Sequence, residues 1–249
     1  MDKINRERHI GGLVLPRLQP IIPTRRKEPF DDSDWLFEFK YDGFRGLCHI
    51  EQGRCRVISR NGNMLSRFDA LADQVGRLLD VDEAVIYGEV IAADETGRPQ
   101  FSELLRVPRS ACYVAFDILW LDGTDLRSLP LGERQKRLQT ILPAKSSPTI
   151  SQALSVPGRG RELFDLMCAN DLEGIVANRL ADPYDPRVRR LKIKNPEYSQ
   201  KRGEATSSIG HGHGLCVWRD NARNQTPGTV SERRLTTEAV RKHRHSICA

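Results

Sequence analysis

The stretch 37–46 constrains the chain most, because apolar and polar residues alternate up to a lysine and a glycine-containing turn follows. Such alternation predicts a strand with one buried face, and Lys40 stands at its end. A lysine in water has a pKa of about 10.4, so a nucleophilic Lys40 needs a desolvated or cation-rich pocket. Arg45 lies beyond Gly43, where the backbone can approach a ligand closely. A strand, a turn and two solvated charges would give the same pattern.

Composition predicts a globular chain of one large or two small domains, because 249 residues with 39% hydrophobic content can bury a sizeable core. No apolar stretch approaches the roughly 20 residues of a membrane span, and no signal-peptide-like apolar region follows the first residues. The six cysteines form no Cys-x-x-Cys pair, which favours a reducing compartment over a disulfide framework. We therefore expect a soluble, cytoplasmic protein without a membrane partner.

Positive charge is concentrated at the C-terminal end. Residues 200–249 contain nine Lys+Arg and four Asp+Glu, a net charge of +5, and the whole chain carries +6, which leaves +1 for residues 1–199. A basic surface is therefore either a local patch or this C-terminal segment. Nucleic acid is the natural polyanionic partner for both.

Strand and helix signals alternate irregularly along the chain. The predicted strands are 35–40, 46–51, 54–59, 84–92, 113–121, 174–177 and 189–194, and the predicted helices are 68–79, 130–142 and 161–169. Glu89 is the one charged residue in its strand, and a buried carboxylate needs a reason. Hairpins mixed with helices predict an α+β domain with antiparallel sheets and packed helices.

Three segments are expected. Residues 1–34 contain scattered prolines and predict an irregular lead-in, residues 35–202 form the domain, and residues 203–249 are polar and predict a disordered basic tail. The tail repeats His-x-His-x-x-Cys at 211–216 and 243–248. Imidazole and thiolate are zinc ligands, so one hypothesis is a shared Zn²⁺ site, and the alternative is chance in a low-complexity segment.

Six stretches resemble, in order, the motifs of ATP-dependent DNA ligases and related covalent nucleotidyltransferases. The first, Lys40-x-Asp42-Gly43-x-Arg45, is similar to the motif whose lysine forms lysyl-AMP. The others are Ser59-Arg60-Asn61-Gly62, Tyr87-Gly88-Glu89, Phe116-Asp117, Leu172-Glu173-Gly174-Ile175-Val176 and Lys192-Ile193-Lys194-Asn195-Pro196. The resemblance spans residues 15–202, is nearest to ligase modules of bacterial end-joining repair proteins, and implies a ligase-type nucleotidyltransferase fold.

The resemblance implies a role for each matched side chain, with ATP and Mg²⁺ as cofactors. Lys40 is implied as the nucleophile and Glu173 as a metal ligand. The residues implied to bind the nucleotide are Glu38, Arg45, Arg60, Glu89, Phe116, Lys192 and Lys194. Within this set, the resemblance implies phosphate or nucleic-acid contact for the arginine of the second motif, ribose contact for the glutamate of the third, adenine stacking for the phenylalanine, and triphosphate contact for the two lysines.

Residue chemistry is compatible with these roles. Lys192 and Lys194 are two apart on a predicted strand, so they share a face and can meet one polyphosphate. Cations beside an α-phosphate stabilise the charge that develops during attack and favour a neutral neighbouring lysine. Glu173 offers the hard oxygen that Mg²⁺ prefers. Each stretch alone also has a structural explanation, such as an ion pair for Glu89 or a core ring for Phe116, but six in this order do not.

The chain departs from the family pattern at several positions. Tyr87 stands where aspartate is usual before Gly-Glu, and Asn178 stands where lysine is commoner. Family ligases continue into an OB-fold domain of about 80 or more residues, whereas 55 residues follow Lys194, which is 249 minus 194. We expect no OB-fold in this sequence.

The expected function is ATP-dependent joining of nicked or broken DNA in repair or recombination, with separate repair proteins as further partners. Lys40 would take AMP from ATP, pass it to a DNA 5′-phosphate, and a 3′-hydroxyl would displace it. Two alternatives stay open. An RNA ligase or capping-type guanylyltransferase would use the same nucleophile motif, and a non-catalytic or adenylation-only remnant would bind ATP or nicked DNA.

Overall fold

The computed structural model describes residues 21–94, 99–106, 111–144 and 147–199, and their strands form two sheets. With strands numbered in chain order, the first sheet contains β1 (Thr24–Arg25), β2 (Asp31–Phe39), β9 (Ser155–Arg159), β10 (Gly174–Arg179) and β11 (Leu191–Lys194), in the order β1-β11-β10-β2-β9. The second contains β3 (Phe44–Glu51), β4 (Arg54–Ser59), β5 (Glu83–Ala92), β6 (Ala111–Leu121), β7 (Thr124–Asp125) and β8 (Ile150–Gln152), in the order β4-β3-β5-β6-β7 with β8 paired to β6.

Most strand pairs are antiparallel, and β1 with β11 and β6 with β8 are parallel. The helices are α1 (Asp69–Leu78), α2 (Phe101–Arg106), α3 (Leu131–Ile141) and α4 (Gly160–Ala169). Helix α1 packs on β4, α3 on β6, and α4 on β2 and β10. The α+β class with antiparallel sheets and packed helices is therefore confirmed.

Two clusters of buried apolar side chains form most of the core. The first joins α1, through Leu71 and Val75, to Ile50 and Val57 of the second sheet. The second joins α4, through Leu163 and Met167, to the first sheet, and it also contains Ile91, Cys112 and Val114 of the second sheet. Because this cluster connects the two sheets, side chains from both can face one cleft.

The structure differs from the sequence-based expectation mainly in short elements. Strand β1 and the first four residues of β2 lie inside the predicted irregular lead-in 1–34, and α2, β8 and β9 were not predicted. Strand β9 contains Pro157 and Gly158, which indicate a loop in sequence, but it pairs at a sheet edge, where proline is tolerated. Strand β11 begins two residues after the predicted start.

Two expectations concern regions beyond the sheets. Within the ranges that the structure describes, no helix is both long and apolar enough to cross a membrane. The predicted tail, 203–249, and its proposed zinc ligands lie outside the described residues.

Candidate active site

A cleft lies between the two sheets. The first sheet contributes residues of β2 and β10, and the second contributes residues of β3, β5 and β6. The lining consists of Ile21, Pro23, Glu38, Phe39, Lys40, Tyr41, Arg45, Tyr87, Glu89, Phe116, Val176, Asn178 and Arg190.

Strand register explains which side chains face the cleft. Val176 pairs with Glu38 on one side and with Lys192 on the other. Paired residues in a sheet point to the same face, so Lys192 shares the cleft face with Glu38. Lys194 lies two residues further along the same strand and pairs with Gly174. The first sheet therefore presents a row of polar groups to the cleft.

Lys40 forms an ion pair at the mouth of the cleft. Its backbone N–H donates to the Gly174 carbonyl, which places the side chain directly after β2. Lys40 Nζ lies 2.5 Å from Glu173 Oε2, and Lys194 Nζ lies 3.2 Å from Glu173 Oε1. One carboxylate thus bridges two lysines that are 154 positions apart in the chain, as 194 minus 40 gives.

Several cations surround this carboxylate. Partial burial, together with the positive charges of Lys194, Lys40 and Arg45, lowers the pKa of Lys192. Glycine at position 174 allows β10 to lie very close to β11. Its φ is +135°, and an added Cβ would lie 2.1 Å from the Ile193 carbonyl oxygen. The mouth of the cleft is therefore built to receive negative charge.

Glu89 occupies the side of the cleft nearest Arg45. Its Oε1 accepts a hydrogen bond from the Gly43 N–H at 3.1 Å, and its Oε2 lies 3.9 Å from Arg45 Nε. A Cβ on Gly43 would lie 2.2 Å from the Val90 carbonyl oxygen, so only glycine permits this approach of the turn to β5. Burial raises the pKa of Glu89 to about 7, opposed by the positive charges of Arg45 and Lys40.

Glu38 lies deeper in the cleft, among uncharged donors. Gln135 Nε2 donates to Glu38 Oε1 at 3.1 Å, and Asn178 Nδ2 donates to Glu38 Oε2 at 2.7 Å. Burial raises the pKa of Glu38 to about 7, and the positive charge of Arg190 opposes that shift. Gln135 also donates to the Phe116 carbonyl at 2.6 Å, which links α3 to the aromatic wall.

Aromatic rings form one wall of the cleft. The Phe116 ring is stacked near Tyr41, with centroids 6.1 Å apart, and is edge-on to Tyr87 at the same separation. Two buried side-chain polar atoms in the described ranges lack a hydrogen-bond partner, Tyr87 Oη and Asn178 Oδ1. Both residues line the cleft, and buried polar atoms are usually satisfied.

A fully buried ion pair lies behind the aromatic wall, and the sequence-based reasoning missed it. Arg134 Nε lies 2.7 Å from Asp117 Oδ1 and Arg134 Nη2 lies 2.8 Å from Asp117 Oδ2, a bidentate pair. Arg134 also donates to the carbonyls of Leu129 and Asp182. Asp117 interrupts an apolar strand, which was the available signal, but its partner on α3 could not be read from spacing.

The structure brings together all but one of the residues proposed from sequence. Glu38, Lys40, Arg45, Glu89 and Phe116 line the cleft, and Glu173, Lys192 and Lys194 adjoin Lys40. Arg60 is the exception, because it is exposed in the turn after β4 and does not line the cleft.

The described residues contain no cluster of three or more His, Cys, Asp or Glu side chains suited to a metal ion. Mg²⁺ does not require one, since it keeps several waters and binds through one or two carboxylates and substrate phosphates. Glu173 supplies such an oxygen donor, and Glu89 is a second carboxylate on the same cleft. The donor set fits Mg²⁺ shared with a phosphate ligand.

Residues 24–194 match the family model described as the ATP dependent DNA ligase domain. The chain belongs to this family, as its motifs, two sheets and lysine-containing cleft had indicated.

Relatives include two kinds of bacterial protein. The chain is 30% identical over 183 residues to the multifunctional non-homologous end joining protein LigD of Pseudomonas aeruginosa, covering 71% of this chain and 22% of that protein. It is 29% identical over 194 residues to the SPbeta prophage-derived DNA ligase-like protein LigB of Bacillus subtilis, covering 74% of this chain and 69% of that protein. The match therefore spans about a fifth of LigD.

Solved structures of similar proteins share the fold of this chain. A mycobacterial DNA ligase D in complex with ATP gives a TM-score of 0.61 at 30% identity, covering 72% of this chain and 60% of that chain. The ligase domain of Mycobacterium tuberculosis LigD gives 0.63 at 28% identity, covering 72% and 59%. The ligase nucleotidyltransferase fold expected from the motifs is confirmed.

Proposed function

We propose that this domain forms a covalent lysyl-AMP at Lys40 and passes the AMP to DNA for strand joining. The observation that carries the proposal is the position of Lys40 Nζ, at the mouth of the cleft and bound to the same carboxylate as Lys194. Lys192 adds a further cation on that face. A nucleophile beside a cluster of cations is the arrangement that attack on a phosphate requires.

The first step joins Lys40 Nζ to the α-phosphorus of ATP and breaks the bond from that phosphorus to the bridging oxygen, so pyrophosphate leaves. Lys40 must lose a proton before it attacks, and its Nζ contacts Glu173 Oε2, so this contact must break first. Rearrangement of Glu173 is therefore part of activation. Lys192 and Lys194 then stabilise the charge that develops on the phosphate oxygens.

Mg²⁺ would be bound through Glu173, and its chemistry is to neutralise phosphate charge. Around it, this chain positions the nucleotide. Glu89, ordered by the Gly43 N–H, is the acceptor proposed for ribose hydroxyls, and the Phe116 ring is the proposed stacking surface for the base.

In the later steps, AMP moves to a 5′-phosphate at a nick or break in DNA, and a 3′-hydroxyl displaces it. DNA is favoured because the chain belongs to a family of DNA ligases and is similar to LigD proteins named for end joining. A role in DNA repair beside separate repair proteins follows by that similarity. Cys48, Cys55 and Cys112 are buried and form no disulfide among the residues that the structure describes, which suits the reducing cytoplasm.

The test is intact-protein mass after incubation with ATP and Mg²⁺. We expect an added AMP on the wild type, none on Lys40→Ala, and the wild-type amount on Lys136→Ala, which removes an exposed lysine of α3. A folded wild type without any adduct, or an undiminished adduct on Lys40→Ala, would overturn the proposal. Equal labelling by GTP, or sealing of nicked RNA but not nicked DNA, would favour the guanylyltransferase or RNA ligase alternative.

A further inference from the structure

Asn178 is buried in the cleft, and one of the two polar atoms of its side-chain amide has no hydrogen-bond partner among the described residues. The residue is only 4% exposed, and its Oδ1 has no hydrogen-bond partner in the described ranges. Leaving a buried carbonyl oxygen unsatisfied costs free energy, and Asn178 lines the cleft. The oxygen therefore lies where a bound molecule can supply the missing donor.

The hydrogen-bond network fixes the orientation of this amide. Asn178 Nδ2 lies 2.7 Å from Glu38 Oε2, and above its pKa of about 7 the Glu38 carboxylate is ionised, so it accepts but cannot donate. Exchanging the amide atoms would place Oδ1 against Oε2, two acceptors with no hydrogen between them. Gln135 occupies the other carboxylate oxygen, since its Nε2 donates to Oε1 at 3.1 Å. Asn178 Oδ1 is thus the acceptor that remains free for a ligand.

The cleft has two chemically different ends. Lys40, Lys192 and Lys194 surround Glu173 at the mouth, whereas Glu38 and Asn178 provide acceptors deeper along β2 and β10. Three lysines attract a phosphate to the mouth, whereas at the deep end the Glu38 carboxylate offsets the single positive charge of Arg190. A nucleotide with its phosphates at the mouth therefore directs its base toward Asn178, past the Phe116 ring.

We propose that Asn178 Oδ1 reads the base of the nucleotide by accepting a hydrogen bond from the 6-amino group of adenine. This inference rests on ATP being the nucleotide of the proposed function, and it makes Asn178 a specificity-determining residue. A lysine ammonium has donors only, so it could not make this contact.

The same geometry discriminates against guanine. Adenine carries a donor at position 6, and guanine carries a carbonyl oxygen there. Asn178 Oδ1 is an acceptor, so guanine would place its own O6 acceptor against it. A site whose buried polar groups are left unpaired rejects a ligand more strongly than one that merely loses an apolar contact.

The experiment measures equilibrium dissociation constants by calorimetry, with EDTA present so that no covalent step follows. Two nucleotides are compared: ATP, and purine riboside triphosphate, which lacks the 6-amino group. Burial raises the pKa of Glu38 to about 7, so the measurement is made at pH 8, where this carboxylate is mostly an acceptor. For Asn178→Ala we expect ATP binding to weaken roughly tenfold and purine riboside triphosphate binding to change less than about twofold.

Two further variants separate base reading from structural damage. Asn178→Lys keeps a donor beside Glu38 but removes the acceptor, so it should show the same selective loss for ATP. Gln135→Ala removes the other amide donor to Glu38 from outside the cleft lining, so it should weaken both nucleotides by similar factors.

The possible outcomes are distinct. If Asn178→Ala and Asn178→Lys weaken both nucleotides equally, or neither, the inference is overturned and Asn178 is structural. If the wild type binds ATP and shows the selective loss in the variants but forms no AMP adduct, the inference stands and the proposed catalytic function fails. If the wild type neither binds ATP in EDTA nor forms an AMP adduct with ATP and Mg²⁺, both are overturned.

Discussion

Two carboxylate–cation pairs lie near the cleft, and they differ in exposure and in the partners of each charged group. Asp117 and Arg134 are 1% and 0% exposed and meet through two hydrogen bonds, at 2.7 and 2.8 Å. Glu173 and Lys40 are 10% and 19% exposed and meet through one contact of 2.5 Å. Arg134 is further satisfied by backbone carbonyls, whereas Glu173 is shared with a second lysine.

The difference separates a structural pair from the pair that the proposed function makes reactive. A buried pair that is fully hydrogen-bonded cannot change partners without leaving a charge in the interior, so it fixes α3 against β6. A partly exposed lysine that shares its carboxylate with another cation can exchange that carboxylate for a phosphate. A carboxylate–cation pair therefore produces rigidity in one place and, under the proposed function, reactivity in the other.

The largest expected effect comes from breaking the buried pair. Arg134→Met leaves Asp117 buried without its bidentate partner, which typically costs about 3–5 kcal/mol of the free energy of unfolding. We expect the lower end, because Arg190 Nη2 remains 3.5 Å from Asp117 Oδ2. Urea unfolding measures the change.

The matched control is Arg187→Ala, which removes an exposed arginine bound to Asp185. It should unfold at the wild-type midpoint, because exposed ion pairs contribute little. Equal destabilisation by the two variants would show that Asp117 and Arg134 are not a structural centre.

The next effect concerns pH. Burial raises the pKa of Glu38 from 4.5 to about 7, so between these values the folded protein retains a proton that the unfolded chain has lost. Glu38 therefore makes the free energy of unfolding rise as pH falls from 7 toward 5. His49 acts in the opposite sense below pH 6.5, because burial lowers its pKa to about 4.

The comparison of wild type with Glu38→Gln isolates this contribution. Urea unfolding at pH 5, 6, 7 and 8 should give a difference between the two proteins that favours the wild type progressively as pH falls. Glu133→Gln, an exposed change on α3, should track the wild type. A difference that is constant across this range would mean that the Glu38 carboxyl titrates as it does in the unfolded chain.

A smaller change in stability is expected at the pair of Lys40 and Glu173. Lys40→Ala leaves Glu173 with Lys194 at 3.2 Å, so no buried charge becomes uncompensated and the loss should be about 1 kcal/mol or less. The adduct with AMP should nevertheless disappear. A loss as large as that of Arg134→Met would place Lys40 among the structural residues and remove the contrast between the two pairs.

The smallest effect on adenylation is expected at Arg60. Its side chain is exposed and outside the cleft, so Arg60→Ala should leave the yield of AMP adduct unchanged. If Arg60 contacts a DNA phosphate, as its motif implies, AMP transfer to nicked DNA should weaken and become less sensitive to salt. If Arg60→Ala forms less AMP adduct in the absence of DNA, Arg60 contributes to adenylation and this prediction is wrong.

Much of the fold was predictable because long elements have clear periodicity. Strand β4 begins and ends where alternation indicated, and α4 begins one residue before its prediction. The elements that were missed are short or contain turn residues. Strand β1 has two residues and β9 contains Pro157 and Gly158, so only their partners in the sheet identify them.

The candidate site divides in the same way. Residues in local motifs, such as Lys40 and Glu173, could be proposed from sequence, whereas the residues behind them could not. Arg134 and Gln135 resemble surface positions of an amphipathic helix, and their roles depend on partners at Asp117 and Glu38 that only tertiary packing provides. The vacant acceptor of Asn178 likewise follows from the orientation of a single amide.

The central claim is that Lys40, and not another lysine of the cleft, reacts with ATP. Peptide mapping by tandem mass spectrometry after incubation with ATP and Mg²⁺ tests it directly, because Lys40, Lys192 and Lys194 lie on separable stretches of chain. We expect AMP on the peptide that contains Lys40. AMP on Lys192 or Lys194, with Lys40 unmodified, would contradict it.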